Sequence, residues 1–102
     1  REGERLLGRL RPGTYLIALD PKGKQLSSEE MAEVLNRLGI EGKGDITLIV
    51  GGTLGLSEKV LERADLKLSF SKMTFPHQLT RLILLEQIYR WFKIARGEPY
   101  HK

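Results

Sequence analysis

Residues 66–89 read LKLSFSKMTFPHQLTRLILLEQIY, and they decide the fold. A short apolar strand, Leu66–Phe70, runs into a polar Ser-Lys-Met-Thr turn, then Pro76-His77, then a strongly apolar helix. An ordinary connecting loop would be richer in Gly and Asp, the residues that tolerate tight-turn dihedrals. It would also not lead into so apolar a helix. Ile46–Leu56, ITLIVGGTLGL, has the same layout of apolar strand followed by an unusual junction. Together the two stretches suggest a ligand pocket built where strands end.

Working outward, Tyr15–Leu19 (YLIAL) is a near-continuous apolar run of strand length, closed by Asp20-Pro21-Lys22-Gly23. Such runs suit a strand covered on both faces. Ser27-Ser28-Glu29-Glu30 is a capping box, with Ser27 at the N-cap and Glu30 three residues on. Met31, Val34, Leu35 and Leu38 then form one apolar helix face, with Met31 as core packing, and Gly39 is expected to end that helix. Leu56 and Leu61 flank Ser57 as a hydrophobic staple for a short helix reaching about Ala64. The long closing helix spans Leu79–Ala95 and stops at Gly97-Glu98-Pro99. At the amino end, Arg1–Leu10 offers a helical turn or two with Leu6, Leu7 and Leu10 on one side, broken by Arg11-Pro12-Gly13. No N-cap precedes it, so further residues are expected upstream.

Strands alternating with helices imply an α/β fold: a parallel sheet with right-handed crossovers and helices on both faces. Ligands of such sheets sit outside the carboxyl ends of the strands. Those ends carry Leu19-Asp20, Gly51-Gly52 and Phe70-Ser71, which should face one crevice.

At 102 residues, 40% hydrophobic and 29% charged, the chain has room for a single globular domain, 1–102, with one modest core. No apolar run approaches the ~18 residues of a spanning helix, and no signal-peptide pattern opens the chain. With no cysteine, disulfides and thiolate metal sites are excluded, which fits a cytoplasmic protein. Lys and Arg number 17 against 13 Asp and Glu, a net charge of +4. That favours a polyanionic partner without identifying one.

Each constellation has a plain alternative. Gly51-Gly52-Thr53-Leu54-Gly55 lets backbone approach a ligand closely, or serves as a tight strand-to-helix turn. Its spacing matches neither G-x-G-x-x-G nor a P-loop. The turn Phe70, Ser71, Lys72, Met73, Thr74, Phe75 suits an adenine, with apolar groups on its faces and main-chain amides on its edge, or a turn buried by helices. His77 offers an imidazole, a group that ordinarily titrates near neutrality, for proton transfer or RNA contact, or caps and packs the helix. Two histidines without cysteine or ligand spacing leave no metal site. On the last helix Leu82, Leu85, Ile88, Tyr89 and Phe92 are expected as a core stripe. Ile83, Leu84 and Trp91 extend apolar surface beyond it, pointing to a homodimer interface. Glu86, Arg90 and Lys93 line one polar ridge, either solvated with a Glu86–Arg90 pair or facing a substrate.

Leu19-Asp20, the segments IVGGTLGL (49–56) and LSFSKMTFPHQ (68–78), EQIYR (86–90) and Tyr100-His101-Lys102 closely resemble the bacterial large-subunit ribosomal RNA methyltransferase H family, small knotted enzymes of the SPOUT superfamily. The resemblance covers essentially the whole chain. It implies a C-terminal trefoil knot, a homodimer, S-adenosylmethionine as methyl donor, and methylation of N3 of a pseudouridine in 23S rRNA, free or in the assembled ribosome. By motif match, Leu19, Gly51, Gly52 and the Phe70–Phe75 turn would hold the cofactor. His77, Glu86, Tyr100 and His101 are candidates for taking the N3 proton, with Arg90 supporting the anion. Lys72, Arg81, Arg90, Lys93, Arg96 and Lys102 would neutralise phosphates. Family members begin with roughly half a domain more, ahead of the position matching Arg1. The competing expectation is a non-catalytic RNA-binding or remnant knotted module with the same basic surface.

Overall fold

The computed structural model describes residues 5, 7–51, 56–71 and 75–98, the side chain of His77 excepted. In chain order the elements are β1 (Tyr15–Gln25), α1 (Ser28–Ile40), β2 (Ile46–Val50), α2 (Glu58–Arg63), β3 (Leu66–Ser69) and α3 (His77–Ala95). They form two compact units, one built on the strands and α2, the other on α1 and α3.

In the first unit the strands make an all-parallel sheet in the order β2-β1-β3. The α/β class and the parallel sheet expected from the sequence are therefore present. Leu16, Ile17 and Ala18 are fully buried, so both faces of the central strand exclude water, as its lack of alternation requires. On one face Leu16 packs with Ile49 and with Val60 of α2, joined by Leu7, Leu10, Leu56 and Ala64. Ser57 caps α2, its hydroxyl accepting from the Val60 amide at 3.3 Å.

The amino edge of the sheet is pinned by side chains. The Leu16 amide donates to Asp65 Oδ2 at 2.8 Å, while the Asp65 amide donates to the Leu16 carbonyl at 2.8 Å. Asp65 thus acts as a one-residue extension of β3. Arg63 ties the corner together, donating to Asp65 Oδ2 at 3.1 Å and to the Thr14 carbonyl at 3.0 Å. On the β2 side, the Thr14 hydroxyl donates to the Asp45 carbonyl at 3.1 Å and lies 2.8 Å from the Thr47 hydroxyl.

β1 is longer than expected. It was to close at Asp20, yet it continues to Gln25. Leu19 and Lys24 both sit opposite Leu68, so the segment between them is a bulge, after which Gln25 pairs with Ser69. The cause is tertiary: after the bulge the returning segment pairs again with the end of β3.

In the second unit the Ser27 capping box is complete. The Ser27 hydroxyl accepts from the Glu30 amide at 3.0 Å, and Glu30 Oε1 accepts from the Ser27 amide at 2.7 Å. Gly39 does not end α1. The helix runs to Ile40, and Gly42 takes the left-handed conformation at φ +78. Lys43 and Gly42 amides donate back to Leu38 and Gly39 carbonyls, the paired bonds of a Schellman motif. α3 begins at His77, two residues early, because Pro76 at φ −55 serves as its N-cap and its carbonyl accepts from the Thr80 amide. The helix closes with a second Schellman pair at Gly97, φ +73. α1 and α3 pack together, and Ser28 Oγ donates to Gln87 Oε1 at 2.6 Å.

The stripe assigned to the core of α3 is mostly outside it. Leu82 is 63% exposed, Leu85 66%, Tyr89 52% and Phe92 46%, whereas Leu84 at 7% and Trp91 at 3% are buried. Only Ile88 of the expected stripe is half-buried. The helix is apolar on two faces, and the smaller apolar set is the one buried in this chain.

Candidate functional site

Strand register assembles the crevice. Leu19 lies directly between Val50 of β2 and Leu68 of β3. The residues that follow, Asp20, Gly51 and Ser69, therefore stand at one level toward the carboxyl edge of the sheet, with Phe70 next after Ser69. β2 and β3 end there, while β1 bulges and pairs again with Leu68 and Ser69, so Gly51 and Phe70 follow directly on strand ends, where ligands of open parallel sheets sit. Leu19 is nearly buried, while Asp20, Gly51, Phe70 and Ser71 are each half-buried. The bend after β3 is held locally: buried Ser69 donates its hydroxyl to the Ser71 carbonyl at 3.0 Å. A near-buried leucine, a glycine without a side chain and a half-buried aromatic suit a flat, partly apolar ligand whose edge bonds to backbone.

Of the expected cofactor residues, Leu19, Gly51, Phe70 and Ser71 are thus brought to one edge. Gly52, Lys72, Met73 and Thr74 lie outside the described residues. Phe75 is half-buried and belongs to the second unit, two residues before its long helix.

The polar ridge of α3 is internally engaged. Arg90 Nη2 lies 2.6 Å from Glu86 Oε2, and Gln87 Nε2 donates to Glu86 Oε1 at 3.1 Å. Lys93 Nζ pairs with Glu98 Oε1 at 2.6 Å and sits 5.2 Å from the Tyr89 ring centroid. The hydrogen bond from Lys93 holds the Glu98 carboxyl below its ordinary range, and the same bond raises the Lys93 ammonium. The sequence had offered Arg90 as partner of Glu86 but gave no sign of Glu98 as partner of Lys93, since that pairing needs the reversed chain after Gly97. Arg81 and Arg96 are exposed. The His77 side chain and Tyr100, His101 and Lys102 fall outside the described residues. Among the described residues no group of three or more His, Asp or Glu could hold a metal ion, and no helix is long and apolar enough to cross a membrane.

One residue at this edge escaped the sequence reading. Gly23, in the extension of β1, lies so close to β3 that an added Cβ would stand 2.7 Å from the Lys67 carbonyl carbon and oxygen and 2.9 Å from the Leu68 nitrogen. In the sequence it looked like a turn glycine after Asp-Pro; only the sheet reveals the contact.

Comparison with known proteins gives concordant results. The family described as predicted SPOUT methyltransferase matches residues 1–101. A protein of Pelotomaculum thermopropionicum named ribosomal RNA large subunit methyltransferase H is 78% identical over 101 residues, covering 99% of this chain and 63% of its own length. Proteins of the same name from Carboxydothermus hydrogenoformans and Clostridium novyi are 63% and 61% identical over 102 residues, covering all of this chain and 64% of each relative. The chain therefore spans a little under two thirds of the relatives it matches.

Proposed function

Because the chain belongs to the SPOUT methyltransferase family, we propose that it forms the greater part of a methyltransferase domain that carries a methyl group from S-adenosylmethionine to N3 of a pseudouridine in 23S rRNA. The observation that carries this is the strand register: Leu19 lies between Val50 and Leu68, so Gly51 and the bend that begins at Phe70 follow the strand ends on either side of it. The residues fit the donor. Leu19 and Phe70 offer apolar surface to an adenine, and Gly51 lets backbone come within hydrogen-bonding range of a nucleoside. Lys72, Met73, Thr74 and Phe75 would complete the wall, with the chain threaded as a trefoil knot that stiffens it. Bound there, the sulfonium supplies an activated methyl group.

What the protein adds is alignment of the nucleophile and handling of its proton. N3 carries a hydrogen that must leave as the new N–C bond forms. His77, Tyr100 and His101 are the acceptors to weigh first, since Glu86 is already held by Arg90 and Gln87. Arg90 would stabilise negative charge developing on the base. Arg81, Lys93, Arg96, Lys72 and Lys102 would neutralise RNA phosphates, making binding salt-dependent. The exposed seam Leu82, Leu85, Tyr89 and Phe92 supports a homodimer through α3, with the Tyr100-His101-Lys102 end of one subunit near the pocket of the other. A substrate in bacterial ribosomal RNA would be met in the cytoplasm.

Calorimetric titration with S-adenosylhomocysteine tests the proposal. The expected result is stoichiometric binding that Gly51→Val abolishes while light scattering still reports a dimer. Absence of binding by an intact wild-type dimer would instead favour a non-catalytic RNA-binding module. Normal binding by Gly51→Val would displace the pocket from this edge.

A further inference from the structure

The β1 extension is the feature that the proposed function leaves unused. After Leu19 the chain bulges through Asp20–Gly23 and pairs with β3 again, with Lys24 opposite Leu68 and Gln25 opposite Ser69. It therefore grips the last two residues of β3, and the next residue, Phe70, begins the bend at the candidate pocket. The grip is steric as well as hydrogen-bonded. At Gly23 a Cβ would meet main chain, not the movable end of a side chain, at 2.7, 2.7 and 2.9 Å. Gly8, Gly13, Gly39, Gly42, Gly44 and Gly97 would each meet nothing within 4 Å. Among the glycines whose surroundings are described, Gly23 alone is required by close approach.

We infer that Gly23 is a positioning residue for the cofactor pocket: by letting the β1 extension lie flush on the Lys67–Leu68 peptide, it fixes the spacing between the Leu19-Asp20 exit and the Phe70-Ser71 bend. This rests on the methyltransferase reading above. A side chain at 23 cannot be absorbed by rotation, because the obstructing atoms are the β3 backbone. Either the extension lifts, breaking the pairing at Lys24 and Gln25, or β3 moves and takes Phe70 with it. Both change the spacing of two walls that would contact the same nucleoside. Misplacement of about 1 Å is enough to cost on the order of 10²-fold in a reaction that depends on alignment.

The test is calorimetric titration of wild type, Gly23→Ala and Gly39→Ala with S-adenosylhomocysteine, well below each thermal midpoint. Gly39→Ala adds the same methyl group at a helix position with open space, and its affinity should equal wild type. A folded Gly23→Ala that binds at least about tenfold more weakly supports the inference. A folded Gly23→Ala within twofold of wild type overturns it, leaving Gly23 a residue of sheet stability only. If Gly23→Ala does not fold, Pro21→Gly decides. It removes the ring that restricts φ in the bulge while leaving the Gly23 contact sterically possible. Binding weakened severalfold in that variant supports a positioning role, and unchanged binding overturns it. Wild type that binds no S-adenosylhomocysteine refutes the methyltransferase reading itself, an outcome distinct from equal binding by wild type and variant.

Discussion

Asp65→Ala should be among the most damaging polar substitutions in the sheet. Leu16 is 0% exposed, and its amide donates to Asp65 Oδ2 at 2.8 Å. Removing that acceptor leaves a buried N–H without its partner, which costs about 1–3 kcal/mol. The Arg63–Asp65 pair is lost as well, but at 35% and 40% side-chain exposure it adds only about 0–1 kcal/mol. The sum is roughly 1–4 kcal/mol, dominated by the amide and centred near 2.5 kcal/mol. For a chain of this size each kcal/mol lowers the midpoint by about 4–8 °C, so the expected drop is on the order of 10–20 °C. Asp65→Asn keeps a carbonyl oxygen for the Leu16 amide and should cost about 1 kcal/mol or less. Arg63→Ala should behave similarly, because the amide bond survives. Urea unfolding of the three variants gives the ranking, and hydrogen exchange at the Leu16 amide identifies the cause. An Asp65→Ala variant within about 0.5 kcal/mol of wild type, or an Asp65→Asn variant equally destabilised, would refute the attribution to the buried amide.

Three further outcomes are expected. Gly39→Ala should stabilise the protein by about 0.5–1 kcal/mol, since Gly39 is helical with free space around it, whereas Gly42→Ala should cost about 1–2 kcal/mol at φ +78; thermal unfolding separates the two signs. The Lys93–Glu98 pair predicts a pH window. Glu98 is lowered from 4.5 by its hydrogen bond from Lys93, so its contribution is present above 4.5 and fades as pH falls through the lowered value. Lys93 is raised from 10.5 by Glu98, then Tyr89, so its contribution is present below 10.5 and fades as pH rises through the raised value. The midpoint gap between wild type and Glu98→Gln should accordingly be constant between those limits, shrink outside them and diminish with salt; a gap that persists in strong acid would rule the pair out as its source. Leu85→Asp, at a position 66% exposed, should leave the fold intact yet yield a monomer in sedimentation velocity, and a dimer retained by that variant would place the interface elsewhere.

The parts of this fold that were legible in the sequence are those whose causes are local. The Ser27 and Ser57 caps, the apolar runs of β1 and β2 and the approximate ends of all three helices follow from residues within one turn of each other. The parallel sheet followed too, because β-α alternation leaves few alternatives. The errors fall where the cause is distant in sequence. Gly39 and Gly42 are equally plausible terminators by composition, and the choice depends on which carbonyls the amides of 42 and 43 reach. Nothing near Asp20 announces that the chain will rejoin β3, and nothing near Asp65 announces a bond to Leu16. The candidate site shows the same division. Gly51 and Phe70 stood out as residue types, but their placement beside Leu19 is a property of register.

α3 shows why a strong signal can point the wrong way. At 100° per residue, Leu84 and Trp91 lie within about 20° of each other, while Leu82, Leu85, Tyr89 and Phe92 centre about 130° around the helix. The rule that the apolar stripe of a helix faces the core assumes one core. Here the larger stripe has the three-four spacing of a helix–helix seam and is exposed, and the pair with the bulkiest residue, Trp91, is buried. A sequence carrying two apolar faces is consistent with two packing events, one within the chain and one between copies. The face that would serve the second event looks more like core than the core itself, because it must form a continuous contact along the helix. Burial within one chain needs only a few large side chains.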